Sequence, residues 1–189
     1  MKNLVIFASG AGSNAENIMR HFRDSATTKV GAVFTNKVEA AVVQKALRYN
    51  VPANIITRES LSDGQVLADL LAINPDLIIL AGFLLQFPET IITNFPNKIV
   101  NIHPSLLPKY GGKGMYGMHV HRAIIDNRET QTGITIHYVD EYYDQGDIIF
   151  QKAITLTGNE TCEEIAVKVQ KLEHDYFPSV IQQILEQKK

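Results

Sequence analysis

The sequence predicts a doubly wound α/β fold on a mostly parallel sheet. Apolar runs of strand length alternate with stretches of helical spacing. The runs are continuous rather than alternating, as expected for strands covered by helices on both faces. The first run passes through a glycine-rich turn, "FASGAGSN", straight into a helical pattern, the opening of a βαβ unit.

Each element follows in order. "NLVIFAS" reads as the first strand, and "SNAENIMRHFRD" as a helix through Ile18, Met19 and Phe22. "VGAVFTN" is the second strand, with a helix around "EAAVVQKALRYN". "ANIIT" is a short third strand before a helix through "GQVLADLLAIN". "DLIILAG" is the fourth strand, "PETIITNF" a short helix and "NKIVNIH" the fifth strand. "TGITIHYV" and "DIIFQKAITL" then lie too close for a crossover helix, so they pair antiparallel or extend the sheet edge. The last segment places Ile165, Val169, Leu172, Tyr176, Val180 and Ile184 on one stripe of a long amphipathic helix. Thr161 and Glu164 form a capping box at its start, and Pro178 is expected to kink or interrupt it.

Composition narrows the function. The 189 residues carry a formal net charge of −2, with 45% hydrophobic and 20% charged residues. One domain spanning 1–189, with no repeats or linker, is expected. Scattered Lys and Arg argue against a nucleic-acid partner. No apolar run reaches membrane-spanning length, and the start lacks a cleavable-signal pattern, so no membrane partner is expected. The single cysteine, Cys162, makes no internal disulfide and suggests a reducing, cytoplasmic setting.

Three motifs carry candidate chemistry. In the first turn, Gly10 and Gly12 let the backbone approach a ligand, and Ser13 and Asn14 are candidate helix caps at a phosphate-binding N-terminus. The Lys of a P-loop and the third glycine of a dinucleotide fingerprint are missing, and a ligand-free tight turn is the competing reading. If the first strand lies beside the fourth, this turn and "AGFLLQF" face one crevice at the topological switch point. The fifth strand then delivers Asn101 and His103, one residue apart and on the same side, to that crevice. An amide and an imidazole suit a developing oxyanion; a structural pair at a strand end is the alternative. Between the last two strands, "DEYYDQGDII" crowds Asp140, Glu141, Asp144 and Asp147. A carboxylate from this turn near His103 would raise the His103 pKa, and spacing does not say which.

Taken together, "GAGSN", "AGF", "NIHPSLLPKY", the Asp-x-Gly of "DQG" and "VQKLEH" resemble, in order and spacing, the formyltetrahydrofolate-dependent formyltransferases. The resemblance covers nearly the whole chain and implies a Rossmann-like formyltransferase fold. Its closest branch transfers the formyl group of 10-formyltetrahydrofolate, a co-substrate, to the amine of glycinamide ribonucleotide in purine biosynthesis, with no metal. By motif it implies Asn101, His103 and Asp144 as catalytic residues, with a protonated His103 supported by Asp144. It assigns Gly12, Ser13, Asn14, Gly82, Gln170 and Glu173 to the ribonucleotide. It assigns Phe83, Leu84, Val139, Asp140, Glu141, Tyr142 and Tyr143 to the folate. It also suggests a cis Leu107–Pro108 bond and a monomer or homodimer.

Two departures from the family stand out. Leu85 occupies a position that is often basic in relatives. Residues 111–118 form a longer, glycine-rich stretch, read as a flexible loop near the site. The His119-x-His121 pair within "MHVHR" lacks an evident third metal ligand. His137 either lines the site or packs in its strand, and His21 and His174 are read as structural. Rival activities are a formyltetrahydrofolate hydrolase, a methionyl-tRNA formyltransferase and a non-catalytic nucleotide-binding module. "NIHPS" and "GSN" favour the ribonucleotide transferase over the other enzymes. The binding module has no need of an amide, an imidazole and an acid together.

Overall fold

The computed structural model describes residues 1–187. Its centre is a seven-stranded sheet in the order β3-β2-β1-β4-β5-β6-β7. Strands β1 (Lys2–Phe7), β2 (Thr28–Thr35), β3 (Ala53–Ile55), β4 (Leu77–Leu80) and β5 (Ile99–His103) run parallel. Strands β6 (Gln131–Tyr138) and β7 (Ile148–Thr155) pair antiparallel and extend the sheet to its edge.

Successive side chains of the central strands enter opposite cores, which explains their continuous apolar runs. Leu4, Ile6, Val33, Ile79 and Val100 pack on one face under α1 (Ser13–Phe22), α2 (Ala41–Arg48), α6 (Met118–Asp126) and α7 (Cys162–Gln187). Val5, Phe7, Phe34, Ile78 and Ile99 pack on the other under α3 (Arg58–Ser62), α4 (Gln65–Ile73) and α5 (Glu89–Asn94). Full burial of such a side chain stabilises by about 1.5–3 kcal/mol relative to exposure.

Several local expectations change. Helix α3 is an added element, opened by a capping box in which Thr57 Oγ1 accepts from Ser60 N–H at 3.1 Å. Helix α6 begins at Met118, where the glycine-rich stretch ends. Ser13 and Asn14 do not cap α1: the N-cap is Gly12, with no side-chain capping bond. Both side chains reach instead across to α7. Gly12 sits at φ 66°, and a Cβ there would collide with Val42, so only glycine fits the turn.

Pro178 does not interrupt α7, which continues from Cys162 to Gln187. Proline removes the N–H that would bond the carbonyl of His174. Asn17 Nδ2 of α1 supplies that bond instead, at 2.8 Å. The Thr161–Glu164 capping box forms as expected: Thr161 N–H donates to the Glu164 carboxylate at 2.8 Å, and Glu164 N–H to Thr161 Oγ1 at 3.2 Å. The Leu107–Pro108 bond is cis.

Candidate active site

β1 lies between β2 and β4, so the switch point falls between β1 and β4. Beyond Phe7 and Leu80 the chain leaves the ladder and forms the floor of a crevice. Ser9 N–H donates to the Gly82 carbonyl at 3.0 Å, and Leu84 N–H donates to Ser9 Oγ at 3.0 Å. The buried Ser9, which the sequence motifs did not single out, thus ties the two turns together. The crevice has a volume of about 750 Å³, and every site residue expected from the sequence lines it.

β5 carries Asn101 and His103 to one end of this crevice. Asn101 pairs in register with His137 on β6, and His103 with Thr135, so Asn101, His103 and His137 share a face. Asp144 joins them from the β6–β7 turn, at φ 56°. Gly146 allows that turn, because a Cβ there would collide with the Tyr138 carbonyl oxygen. His103 Nδ1 lies 3.5 Å from Asp144 Oδ2, and His137 Nε2 lies 3.6 Å from Oδ1. Asn101 Nδ2 lies 3.4 Å from Asp144 Oδ1, and Gly112 N–H donates to Oδ2 at 2.9 Å. The neighbouring acid Asp140 instead accepts from Tyr142 N–H at 2.9 Å. Geometry therefore separates Asp144 from the other acids of its loop, which spacing alone left open.

The hydrogen bonds constrain the protons. His103 Nε2 lies 2.7 Å from the Tyr110 carbonyl, which only accepts, so Nε2 carries a hydrogen and Nδ1 faces Asp144. His137 Nδ1 likewise donates to the Tyr138 carbonyl at 2.7 Å. In neutral His137 this leaves Nε2 to accept from Asn101 Nδ2 at 3.1 Å. That bond orients the Asn101 amide so that its second hydrogen points toward Asp144. His137 is thus a positioning group between Asn101 and Asp144.

Burial sets the charges. The His103 pKa lies below its ordinary value because desolvation outweighs the pull of Asp144. Burial thus works against the protonated His103 that the family resemblance implies for the reaction, and Asp144 works for it. Burial works to raise the Asp144 pKa, but the neighbouring His137 and His103 rings and the Gly112 N–H together hold it below the usual value. The carboxylate form of Asp144 is thus favoured, with its Oδ2 facing His103 Nδ1.

At the other end lies the glycine turn. No side chain caps α1, so its first-turn N–H groups and partial positive charge suit an anion. Asn14 Nδ2 donates to Glu173 Oε2 at 2.7 Å, and Gln170 Nε2 to Ser13 Oγ at 3.2 Å. Burial pushes the Glu173 carboxyl up, partly offset by the Asn14 bond. Along one wall, Phe83 packs edge-on against Phe7 at 5.3 Å. Val139, Glu141, Tyr142 and Tyr143 face the same space, and Gln86 Nε2 reaches the Glu141 carbonyl at 3.4 Å. Leu85 packs against the core beneath this wall. His119 and His121 sit two positions apart on α6 and do not share a face. His119 is exposed against Tyr116, whereas His121 is buried and lines the crevice.

Sequence reasoning missed the residues that hold the Pro104–Pro108 turn. Thr135 Oγ1 donates to the Ser105 carbonyl at 2.7 Å and accepts from Leu107 N–H at 3.0 Å, and Gln151 Nε2 joins the set at 2.9 Å. Thr135 is the cross-strand neighbour of His103, a pairing that only strand register reveals.

Residues 2–181 match the model of the family described as formyl transferase. The chain belongs to the formyl transferase family. Among individual relatives of this formyl transferase, phosphoribosylglycinamide formyltransferase of Bacillus subtilis is 35% identical over 191 residues, covering 98% of this chain and 95% of that protein. A chloroplastic phosphoribosylglycinamide formyltransferase of Vigna unguiculata is 37% identical over 193 residues. The match covers 99% of this chain but spans only 62% of the length of that relative. The corresponding share of the Arabidopsis thaliana relative is 66%. The crystal structure of phosphoribosylglycinamide formyltransferase from Bacillus halodurans superposes with a TM-score of 0.90 at 31% identity, over 100% of this chain and 97% of that one. The formyl transferase fold is thus a mixed sheet, parallel through β5 and antiparallel at its C-terminal edge, with a long last helix.

Proposed function

We propose that this formyl transferase moves the formyl group of 10-formyltetrahydrofolate to the primary amine of glycinamide ribonucleotide, a step of purine biosynthesis, with 1–189 acting as one domain. The observation that carries the reading is the meeting of Asn101, His103 and Asp144 at one end of a crevice whose other end is an uncapped helix N-terminus. The near-full-length likeness to the Bacillus subtilis enzyme supports the choice of substrates.

The ribonucleotide phosphate rests on the N–H groups around Gly12, Ser13 and Asn14. Gln170 and Glu173 contact the sugar, and Gly82 lets the chain pass close beneath. The pterin lies along Phe83, Leu84 and Val139, beside the loop of Asp140, Glu141, Tyr142 and Tyr143. Holding both substrates makes the reaction effectively unimolecular, which can contribute up to about 7–11 kcal/mol. The amine then attacks the formyl carbon, and the carbonyl oxygen takes up the electron pair. Asn101 donates to that oxyanion the hydrogen now aimed at Asp144 across 3.4 Å. His103 supports the same charge, its proton affinity rising as the oxyanion forms nearby. The amine loses a proton to Asp144, and collapse of the intermediate breaks the bond to the folate nitrogen, which takes that proton. No step calls for a metal.

The test is absorbance on mixing the protein with 10-formyltetrahydrofolate, with and without glycinamide ribonucleotide. Folate product formed only when both are present is the expected result. Release without the amine would make the protein a hydrolase, and no release would make it a binding module.

A further inference from the structure

Four carboxylates, Asp140, Glu141, Asp144 and Glu173, line the crevice, and Lys113 is the single lysine or arginine among the described residues that line it. The segment after β4 brings no cation, since it reads "AGFLLQF", with the partly buried Leu85 packed against the core. Lys113 makes no ion pair or hydrogen bond among the described residues, and it is exposed. The backbone beside it, by contrast, is tied to the catalytic end. His103 holds the Tyr110 carbonyl at 2.7 Å, and Asp144 holds the Gly112 N–H at 2.9 Å. Met115 N–H bonds back to the Gly112 carbonyl at 3.0 Å, so Lys113 sits within a closed turn. The turn thus presents an exposed ammonium at the end of a hydrogen-bonded base, on the wall of a cavity otherwise rich in carboxylates.

We propose that Lys113 is a substrate-binding residue, pairing with an anionic oxygen group of a substrate held in the crevice. The inference rests on the functional reading above, under which both substrates are anions: one carries a phosphate, the other a carboxylate tail. An acidic cavity repels both, so a single well-placed cation has a large share of the compensation. Because Gly112 is bound to Asp144, pairing at Lys113 also steadies the strap that touches the catalytic carboxylate.

The test is calorimetric titration of Lys113→Ala, Lys113→Arg and the unaltered protein. The ligands are glycinamide ribonucleotide and, separately, a non-transferring folate analogue with one glutamate. In Lys113→Ala, affinity for one ligand should drop about tenfold, the loss expected for a partly solvated charged bond. The loss should shrink at high salt, and Lys113→Arg should restore binding. Weakening confined to the ribonucleotide identifies the phosphate as the partner; weakening confined to the folate analogue identifies the carboxylate. Affinities within twofold for both ligands would overturn the inference, as would a loss that arginine does not restore. Unaltered protein that binds neither ligand would defeat the functional reading as well. Unaltered protein that binds both, alongside an unaffected Lys113→Ala, defeats this inference alone.

Discussion

At the scale of single residues, the site works by crossing hydrogen bonds over a shared carboxylate. Asp144 faces Asn101, His103, His137 and the Gly112 N–H at once. Asn101→Ala removes the proposed oxyanion donor and should lower turnover on the order of 10²–10³-fold. Asp144→Asn should also lower turnover far more than ribonucleotide affinity, because the proposed phosphate site, residues 12–14, lies apart from Asp144. Steady-state kinetics with ribonucleotide titration check both, and near-normal turnover in either variant would contradict these roles. The pH dependence of stability has a definite sign. His103 and His121 both have pKa values below the ordinary 6.5, chiefly through burial. Their neutral forms are favoured on folding, so this contribution is intact above that value and is lost as pH falls through the folded values. Melting temperature should drop between about pH 7.5 and about pH 5.5, and His121→Gln should flatten the drop. A melting temperature that is level or rises on acidification would contradict this. The Asn101–His103 pair was legible from sequence because period two puts both on one face. The state of His103 was not, because a neighbouring acid can be inferred from sequence whereas the depth of burial cannot.

At the scale of elements, the molecule shows how a local rule is broken and then compensated. Proline inside α7 leaves the His174 carbonyl without its helical donor, and Asn17 from α1 takes that place. Asn17→Ala should therefore destabilise the fold by about 1–2 kcal/mol. The penalty should shrink in a Pro178→Ala background, where the helix recovers its own N–H. Denaturant unfolding of the four proteins of this cycle measures it, and an equal penalty in both backgrounds would refute the compensation. The same pair shows why sequence reading expected a break at Pro178: the rescuing amide lies on another helix. The strands were legible because two-sided burial makes their apolar runs continuous. The five-residue helix α3 was hidden by its length. Helix α6 was hidden because its approach is rich in glycine and its N-cap is Gly117, which offers no side-chain capping signal.

At the scale of the whole molecule, sheet topology is what turns scattered motifs into one site. The switch between β1 and β4 opens the crevice, β5 lies next in line, and β6 reverses direction so that His137 and the Asp144 turn fold back over β5. The order of motifs along the chain made this convergence readable, since each follows a strand end. Register and side-chain contacts, which set Ser9, Thr135 and His137 in place, are properties of the folded sheet. The direct measurement is a crystal structure of the protein with glycinamide ribonucleotide and a formyl-bearing folate analogue. The account predicts the phosphate on the N–H groups of residues 12–14. It predicts the amine about 3–3.5 Å from the formyl carbon, and the formyl oxygen within hydrogen-bond reach of Asn101. A phosphate bound elsewhere, or a formyl group remote from Asn101, His103 and Asp144, would contradict it.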